Sequence, residues 1–316
     1  MLSHTHSTSH TTQLGIGAGI TAGAFWGLVF LAPELTPGFS PLQLSAGRYL
    51  AYGIVAAVLI ARAWPRLKRT LSWRDWRGLA WLSLVGNIVY YLFLAQAVQS
   101  GGVAMTSIVI GLLPLTVTLA GSREQGAVPL RRLVPSLLLG GAGLACISWD
   151  SLASSTDGSL LGLLCAVGAL LSWTVYAVVN RRWLARLEGI SGQEWSLLVG
   201  VMTGAQALLL AVPAFLPAFL PAFEPAGASH TGAEWLQFLA VVTAVAIFCS
   251  VVGNALWNHA SRALPMALMG QMIVFETVFA SLYGFMWEGR WPSGMEAAAL
   301  VLLVAGVVSC TRAHRE

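Results

Sequence analysis

Long apolar runs alternate with short polar connectors along the whole chain, and the runs have the length of membrane-spanning helices rather than of soluble core elements. Five fall in the first half, approximately Gln13 to Leu31, Pro41 to Ala63, Asp75 to Val98, Val103 to Ala120 and Pro129 to Trp149. Five more follow, Gly158 to Trp183, Glu194 to Leu216, Ala233 to Trp257, Pro265 to Met286 and Ser293 to Thr311. This pattern predicts an all-α integral membrane protein of ten transmembrane helices. The polar residues 1–12, with His4, His6 and His10 among Ser and Thr, read as a disordered cytoplasmic tail.

Composition points the same way. At 57% hydrophobic and 9% charged over 316 residues, with mean hydropathy +0.74, the chain has more apolar surface than a soluble core could hide. Lipid must be its solvent. Of the 17 Lys and Arg residues, all but Arg48 and Arg290 fall on one set of alternate connectors: the stretch from Arg62 to Arg77, then Arg123, Arg131 and Arg132, then Arg181, Arg182 and Arg186, then Arg262, Arg312 and Arg315. The other set holds Glu34, Asp150, Asp157, Glu224, Glu234, Glu288 and Glu296. Basic loops stay in the cytoplasm, so a multi-pass protein of the bacterial inner (plasma) membrane with both termini cytoplasmic is expected. The net charge of +4 thus reflects topology and not nucleic-acid binding. Cys146, Cys165, Cys249 and Cys310 lie in apolar runs without metal-ligand spacing, and no cofactor is called for.

The ten runs divide into two fives, residues 13–149 and 158–312. Trp26 in AFWGLVF corresponds to Trp173 in LSWTVYA, and YLFLAQAVQSGGVAMTSI corresponds to ALWNHASRALPMALMGQM, which puts Ala97 on Ala260 and Ala104 on Ala267. Five is odd, so a second copy enters the membrane upside down and equivalent loops should carry opposite charge bias, as they do. Inverted repeats of this kind are the architecture of alternating-access transporters.

Several residues stand out against this background. Gly15, Gly19, Gly23 and Gly27 form a stripe for close helix approach, with Gly158, Gly162 and Ala166 as a partial counterpart. Gly101-Gly102 and Leu264-Pro265 read as tight hairpin connectors. Pro213, Pro217, Pro221 and Pro225 are expected to fray the seventh run into an outer loop, and Pro114 to interrupt the fourth. Polar side chains inside a span usually face the protein interior. Glu276 is the one acid placed mid-span, suited to a cation, an amine or a coupling proton. Asn87, Tyr90 and Tyr91 share a face of the third run, as do Asn254 and Trp257 with Asn258 on the eighth, and Met105, Ser107 and Gln271 lie beside them on the fourth and ninth. Trp26, Trp173 and Tyr176 add an aromatic group from the first and sixth. Most other Trp residues sit at span ends, where the interfacial aromatic belt accounts for them.

Ten spans, inverted five-helix halves, a deep Trp opening each half and the surroundings of Glu276 together resemble the drug/metabolite transporter superfamily, EamA-type branch. Within that branch the chain looks most like bacterial aromatic amino acid exporters. Family members tend to carry Glu-Pro late in the ninth helix and a related proline in the fourth; here Glu276-Thr277 and Leu113-Pro114 keep one member of the pair each. The resemblance implies export of amino acids and related metabolites through a central cavity. With no Walker A sequence, HExxH or nucleophile-base set, an enzyme or ATP-driven pump has no support. The expected partners are a small-molecule substrate and the bilayer, with monomer or oligomer left open. Efflux of lipophilic cations or drugs, with Glu276 as counter-charge, remains the alternative.

Overall fold

A computed structural model describes residues 2–36, 38–94, 96–97, 109–122, 128–154, 160–219 and 230–314, and among them every regular element is helical. The first, α1, covers Leu2–Gly27 and continues through a 3-10 turn, Leu28–Leu31, into Ala32–Leu35. It therefore includes the stretch read as a disordered tail. Helices α2 (Pro41–Ile60), α3 (Trp64–Thr70), α4 (Trp73–Leu94), α5 (Leu113–Gly121) and α6 (Leu130–Ser154) follow. The remainder are α7 (Leu160–Arg186), α8 (Gly192–Phe219), α9 (Gly232–Ala263), α10 (Met266–Met272 with Val274–Glu288) and α11 (Gly294–Ala313).

Among the described residues seven helices are long and apolar enough to cross a bilayer: α2, α4 and α7 to α11. Their outer faces confirm the solvent. Ile54, Val58, Leu160, Leu209, Leu236 and Val301 are mostly exposed, a surface that water would not tolerate and lipid does.

Local chemistry starts these helices. In α2, Ser40 accepts from Gln43 N while the Gln43 side chain accepts from Ser40 N, and Pro41 needs no partner for a missing N–H. Ser72 and Asp75, Ser191 and Glu194, Thr231 and Glu234, and Ser293 and Glu296 repeat the reciprocal cap. Such boxes matter at a membrane boundary, where the first N–H groups of a helix have no intrahelical acceptor.

Pro213 and Pro217 act differently from expectation. Helix α8 runs through Pro213 and Pro217 to Phe219, because in lipid an interrupted ladder would expose further backbone groups with nothing to bond. Pro221 and Pro225 lie outside the described residues. Pro114 stands in the first turn of α5, where proline is pre-organised, directly after a turn at residues 111–112 that separates α5 from helical residues 109–110, so the fourth run is interrupted there as expected. The Leu264-Pro265 connector turns α9 directly into α10, whereas Gly101-Gly102 lies outside the described residues.

Packing joins sequence-distant helices. Helix α2 lies along α8, α6 along α11, α1 against α9 and α10, α7 against α4 and α5, and α5 against α10. Small residues permit the closest crossings. A Cβ placed on Gly53 would lie 2.6 Å from Gly204 Cα, so α2 and α8 touch backbone to backbone. The α1 stripe does the same against α10. A Cβ on Gly23 would meet Glu276 N at 2.9 Å and one on Gly27 would meet Ala280 N at 2.9 Å.

Two helices depart from α geometry midway, α4 at Leu84–Val89 and α9 at Ala246–Gly253, where the backbone is π-helical. Such turns free carbonyls from the regular ladder and concentrate at functional sites.

Candidate functional site

The deep tryptophans converge. The stripe on α1 presses that helix against α10 and presents Trp26 inward, where its ring centroid lies 5.2 Å from Trp257 on α9 and 6.3 Å from Trp173 on α7. Trp173 and Trp257 are 5.9 Å apart, closing a triangle of rings, and Tyr176 extends it 6.0 Å from Trp173. Trp26 and Trp257 are buried, Trp173 half-buried.

This cluster is built onto the two π turns. Trp26 Nε1 donates to Cys249 O at 3.0 Å, inside the turn of α9, and Ser172 Oγ donates to Val85 O at 2.7 Å, inside the turn of α4. Both carbonyls thereby accept a bond from a neighbouring helix, Val85 O in addition to the Tyr90 N–H of its own turn. Tyr176 fills the space left by the missing side chain of Gly86, where a Cβ would come within 2.3 Å of the ring. The Trp257 indole N–H, on a residue only 2% exposed, has no partner, an open donor in an interior where one left unmade is costly.

Two ionisable side chains lie in the helices that carry and flank these rings. Glu276 is half-buried on α10, its backbone at the contact with Gly23 of the α1 stripe, and among the described residues no side chain hydrogen-bonds or ion-pairs with it. Arg48, on α2, is half-buried too, and its Nε donates to Ser250 Oγ on the π turn of α9 at 3.1 Å. Its charge acts on Glu276, Tyr90, Tyr91 and Cys249. The surrounding wall is phenolic. Tyr49 meets Tyr91 edge-on at 6.4 Å, and Tyr52 donates to Ser196 O at 2.7 Å with Asn254 beside it.

Of the residues singled out from the sequence, Trp26, Trp173, Tyr176, Trp257, Glu276, Tyr90, Tyr91 and Asn254 are thus brought around one interior region. Asn87 and Gln271 instead knit helices together. Asn87 Nδ2 donates to Thr203 Oγ1 at 2.8 Å across α4 and α8, and Gln271 Nε2 to Thr118 Oγ1 at 3.0 Å across α10 and α5. Met105 and Ser107 lie outside the described residues. Sequence reasoning passed over Arg48, Tyr49, Tyr52 and Ser250. Arg48, inside the second apolar run and apart from the basic connectors, lies in the second turn of α2, past the Ser40 cap, and bonds inward because lipid offers it nothing.

A second polar layer closes one end of the bundle. Asn180 Nδ2 donates to Asn258 Oδ1 at 2.9 Å, Trp195 Nε1 to Asn180 Oδ1 at 2.8 Å, and Asn258 Nδ2 to Gly192 O at 3.3 Å. Further out, Arg66 pairs with Glu194 and donates to Gly189 O, Arg181 bonds Leu264 O, and Arg262 bonds Ile190 O.

An aromatic, charge-bearing interior enclosed by lipid-facing helices defines the class: a multi-pass membrane transporter. Known proteins specify it further. The EamA-like transporter family matches over residues 13–149, and the chain is 33% identical to Inner membrane protein YtfF of Escherichia coli over 96% of both chains. It is 24% identical to Uncharacterized transporter YoaV of Bacillus subtilis, over 65% of this chain and 66% of that one. A crystal structure with 23% sequence identity shares the fold at a TM-score of 0.75, covering 97% of this chain and 98% of its own. The chain belongs to the EamA-like transporter family, in the drug/metabolite transporter superfamily.

Proposed function

We propose that this protein is an inner-membrane exporter of aromatic or large apolar amino acids and related metabolites, working by alternating access between two inverted five-helix halves, residues 13–149 and 158–312, with both termini in the cytoplasm. The observation that carries the substrate reading is the Trp26–Trp173–Trp257 triangle, with Glu276 on the helix packed against α1. Flat rings at this spacing take up an aromatic or broad apolar side chain by stacking and edge contacts, while polar groups nearby answer the substrate's charged end.

Three features support the inverted halves. Exchanging α1 with α7, α2 with α8, α4 with α9, α5 with α10 and α6 with α11 carries the pairs named above onto one another: α1 on α9 becomes α7 on α4, and α1 on α10 becomes α7 on α5. The register that sets Ala97 on Ala260 carries Leu84–Val89 onto residues 247–252, inside the π turn Ala246–Gly253. The bonds into those turns exchange as well, Trp26 to Cys249 O and Ser172 to Val85 O, with each donor coming from the other half. Two pseudo-equivalent arrangements of this kind let one conformation convert into its inverse.

A second reading, efflux of lipophilic cations, is favoured by the Glu276 carboxyl, which has no side-chain partner among the described residues and stands on the helix packed against the one that carries Trp26. Counterflow of radiolabelled phenylalanine into proteoliposomes tests the first: uptake competed by tryptophan is expected, and indifference of flux to both amino acids rejects it. Topology has its own check. Single cysteines replacing Arg66 and Arg290 in a cysteine-free background should label from opposite sides of the membrane, and labelling from one side removes the inverted repeat.

A further inference from the structure

We infer that Arg48 and Glu276 are the two poles of one substrate site that requires a free carboxylate and a free ammonium on the same molecule, so that the transporter selects α-amino acid zwitterions over lipophilic cations and organic anions. This deepens the amino-acid reading above and rests on it.

The two side chains come from different helices and are held apart. Arg48 is anchored through Nε to Ser250 Oγ on the π turn of α9. The next residue back on that turn, Cys249, has its carbonyl occupied by Trp26 Nε1. Trp26 stands on α1 between Gly23 and Gly27, and a Cβ on Gly23 would lie 2.9 Å from Glu276 N. A continuous chain of contacts therefore runs from Arg48 through Ser250, Cys249 and Trp26 to the backbone that carries Glu276. Along it, neither charge meets the other, and the Glu276 side chain has no hydrogen-bond or ion-pair partner among the described residues.

Unlike charges inside a membrane protein ordinarily collapse into a pair or draw in water, since leaving them separate in a low-dielectric interior is expensive. Here the Ser250 anchor and the α1 stripe oppose collapse. The groups facing the pair, Tyr49, Tyr90, Tyr91 and Cys249, are phenols and a thiol; the Arg48 guanidinium lies 5.5 Å from the centre of the Tyr49 ring, and among the described residues no carboxylate pairs with it. A cation alone would answer Glu276 and be repelled by Arg48, and an anion alone would meet the reverse. A zwitterion satisfies both, its carboxylate toward the guanidinium and its ammonium toward the carboxylate. The buried Trp257 N–H, which lacks an acceptor, offers a further bond at the aromatic side of the same region. Specificity of this kind comes from the penalty on the wrong ligand, whose missing group strands a charge.

The test is competition against [3H]phenylalanine counterflow in proteoliposomes of the full chain, with tryptophan, tryptamine and N-acetyltryptophan as competitors. In the wild type, tryptophan should compete, with tryptamine and N-acetyltryptophan each on the order of 10- to 100-fold weaker. Arg48→Gln should abolish the discrimination against tryptamine while keeping that against N-acetyltryptophan, Glu276→Gln should do the opposite, and Arg48→Lys should restore the wild-type ranking. Such a crossed pattern is beyond a merely structural role. If a Gln variant fails to fold, the wild-type ranking and Arg48→Lys still decide. Equal competition by all three compounds in the wild type overturns the two poles and leaves amino-acid transport standing. Transport of tryptamine without any phenylalanine flux removes the amino-acid reading and the poles with it.

Discussion

The crossing of α2 and α8 at Gly53 and Gly204 can be perturbed by a single methyl group. A Cβ on Gly204 would lie 2.5 Å from Gly53 Cα, whereas carbon atoms rest about 3.5–4.0 Å apart. Gly204→Ala must therefore separate the helices by about 1 Å or bend one of them. Overpacking of this size costs roughly 1–3 kcal/mol, and between membrane helices, where packing itself drives association, nothing hydrophobic offsets it. Alanine recovers about 1 kcal/mol of helix propensity in exchange. Gly17→Ala and Gly284→Ala separate the two effects, because a Cβ at either position would meet nothing within 4 Å. The assay is the midpoint of heat-induced loss of the monodisperse peak in detergent, with each kcal/mol moving it by roughly 2–4 °C. Gly53→Ala and Gly204→Ala should fall below the wild type, and Gly17→Ala and Gly284→Ala should equal or exceed it. The same midpoint for all four variants would refute backbone contact at this crossing. Function should follow stability at the crossing, since a Cβ at Gly200, one helical turn earlier, would lie 2.7 Å from the Tyr52 ring, so the site wall shares the interface.

Trp26→Phe keeps a ring but removes the donor to Cys249 O; a loss of about 1–3 kcal/mol in the same thermal assay is expected, and Ser172→Ala should cost less, because Val85 O also accepts from Tyr90 N. A double-mutant cycle between Asn180→Ala and Asn258→Ala should show coupling of about 0.5–3 kcal/mol, as their side chains bond directly in a buried network; additive effects would contradict that contact. Trp257→Ala should weaken tryptophan competition in counterflow at unchanged yield of folded protein, whereas loss of folded protein would assign Trp257 to packing alone.

Several local signals were present in the sequence and carried through. The apolar runs, the depth of Trp26, Trp173 and Trp257, and the close-packing stripe on α1 all follow from side-chain chemistry at consecutive or helically spaced positions. The reciprocal caps at Ser40, Ser72, Ser191, Thr231 and Ser293 are equally local, and the Ser40 box sets Arg48 inside α2. Pro213 and Pro217 misled because the usual cost of proline is judged against water, which rescues broken backbone bonds; lipid does not.

What the chain determines by itself is where it enters lipid and which side chains go with it, because hydropathy and capping sum over neighbours in sequence. Tertiary structure alone decided that Asn87 and Gln271 would bond adjacent helices, that the π turns of α4 and α9 would be held by Ser172 and Trp26, and that Arg48 and Glu276 would share an interior without touching. Each of those outcomes depends on the rotation of one helix about its axis relative to another. That rotation is fixed by contacts between residues hundreds of positions apart, which no local pattern encodes.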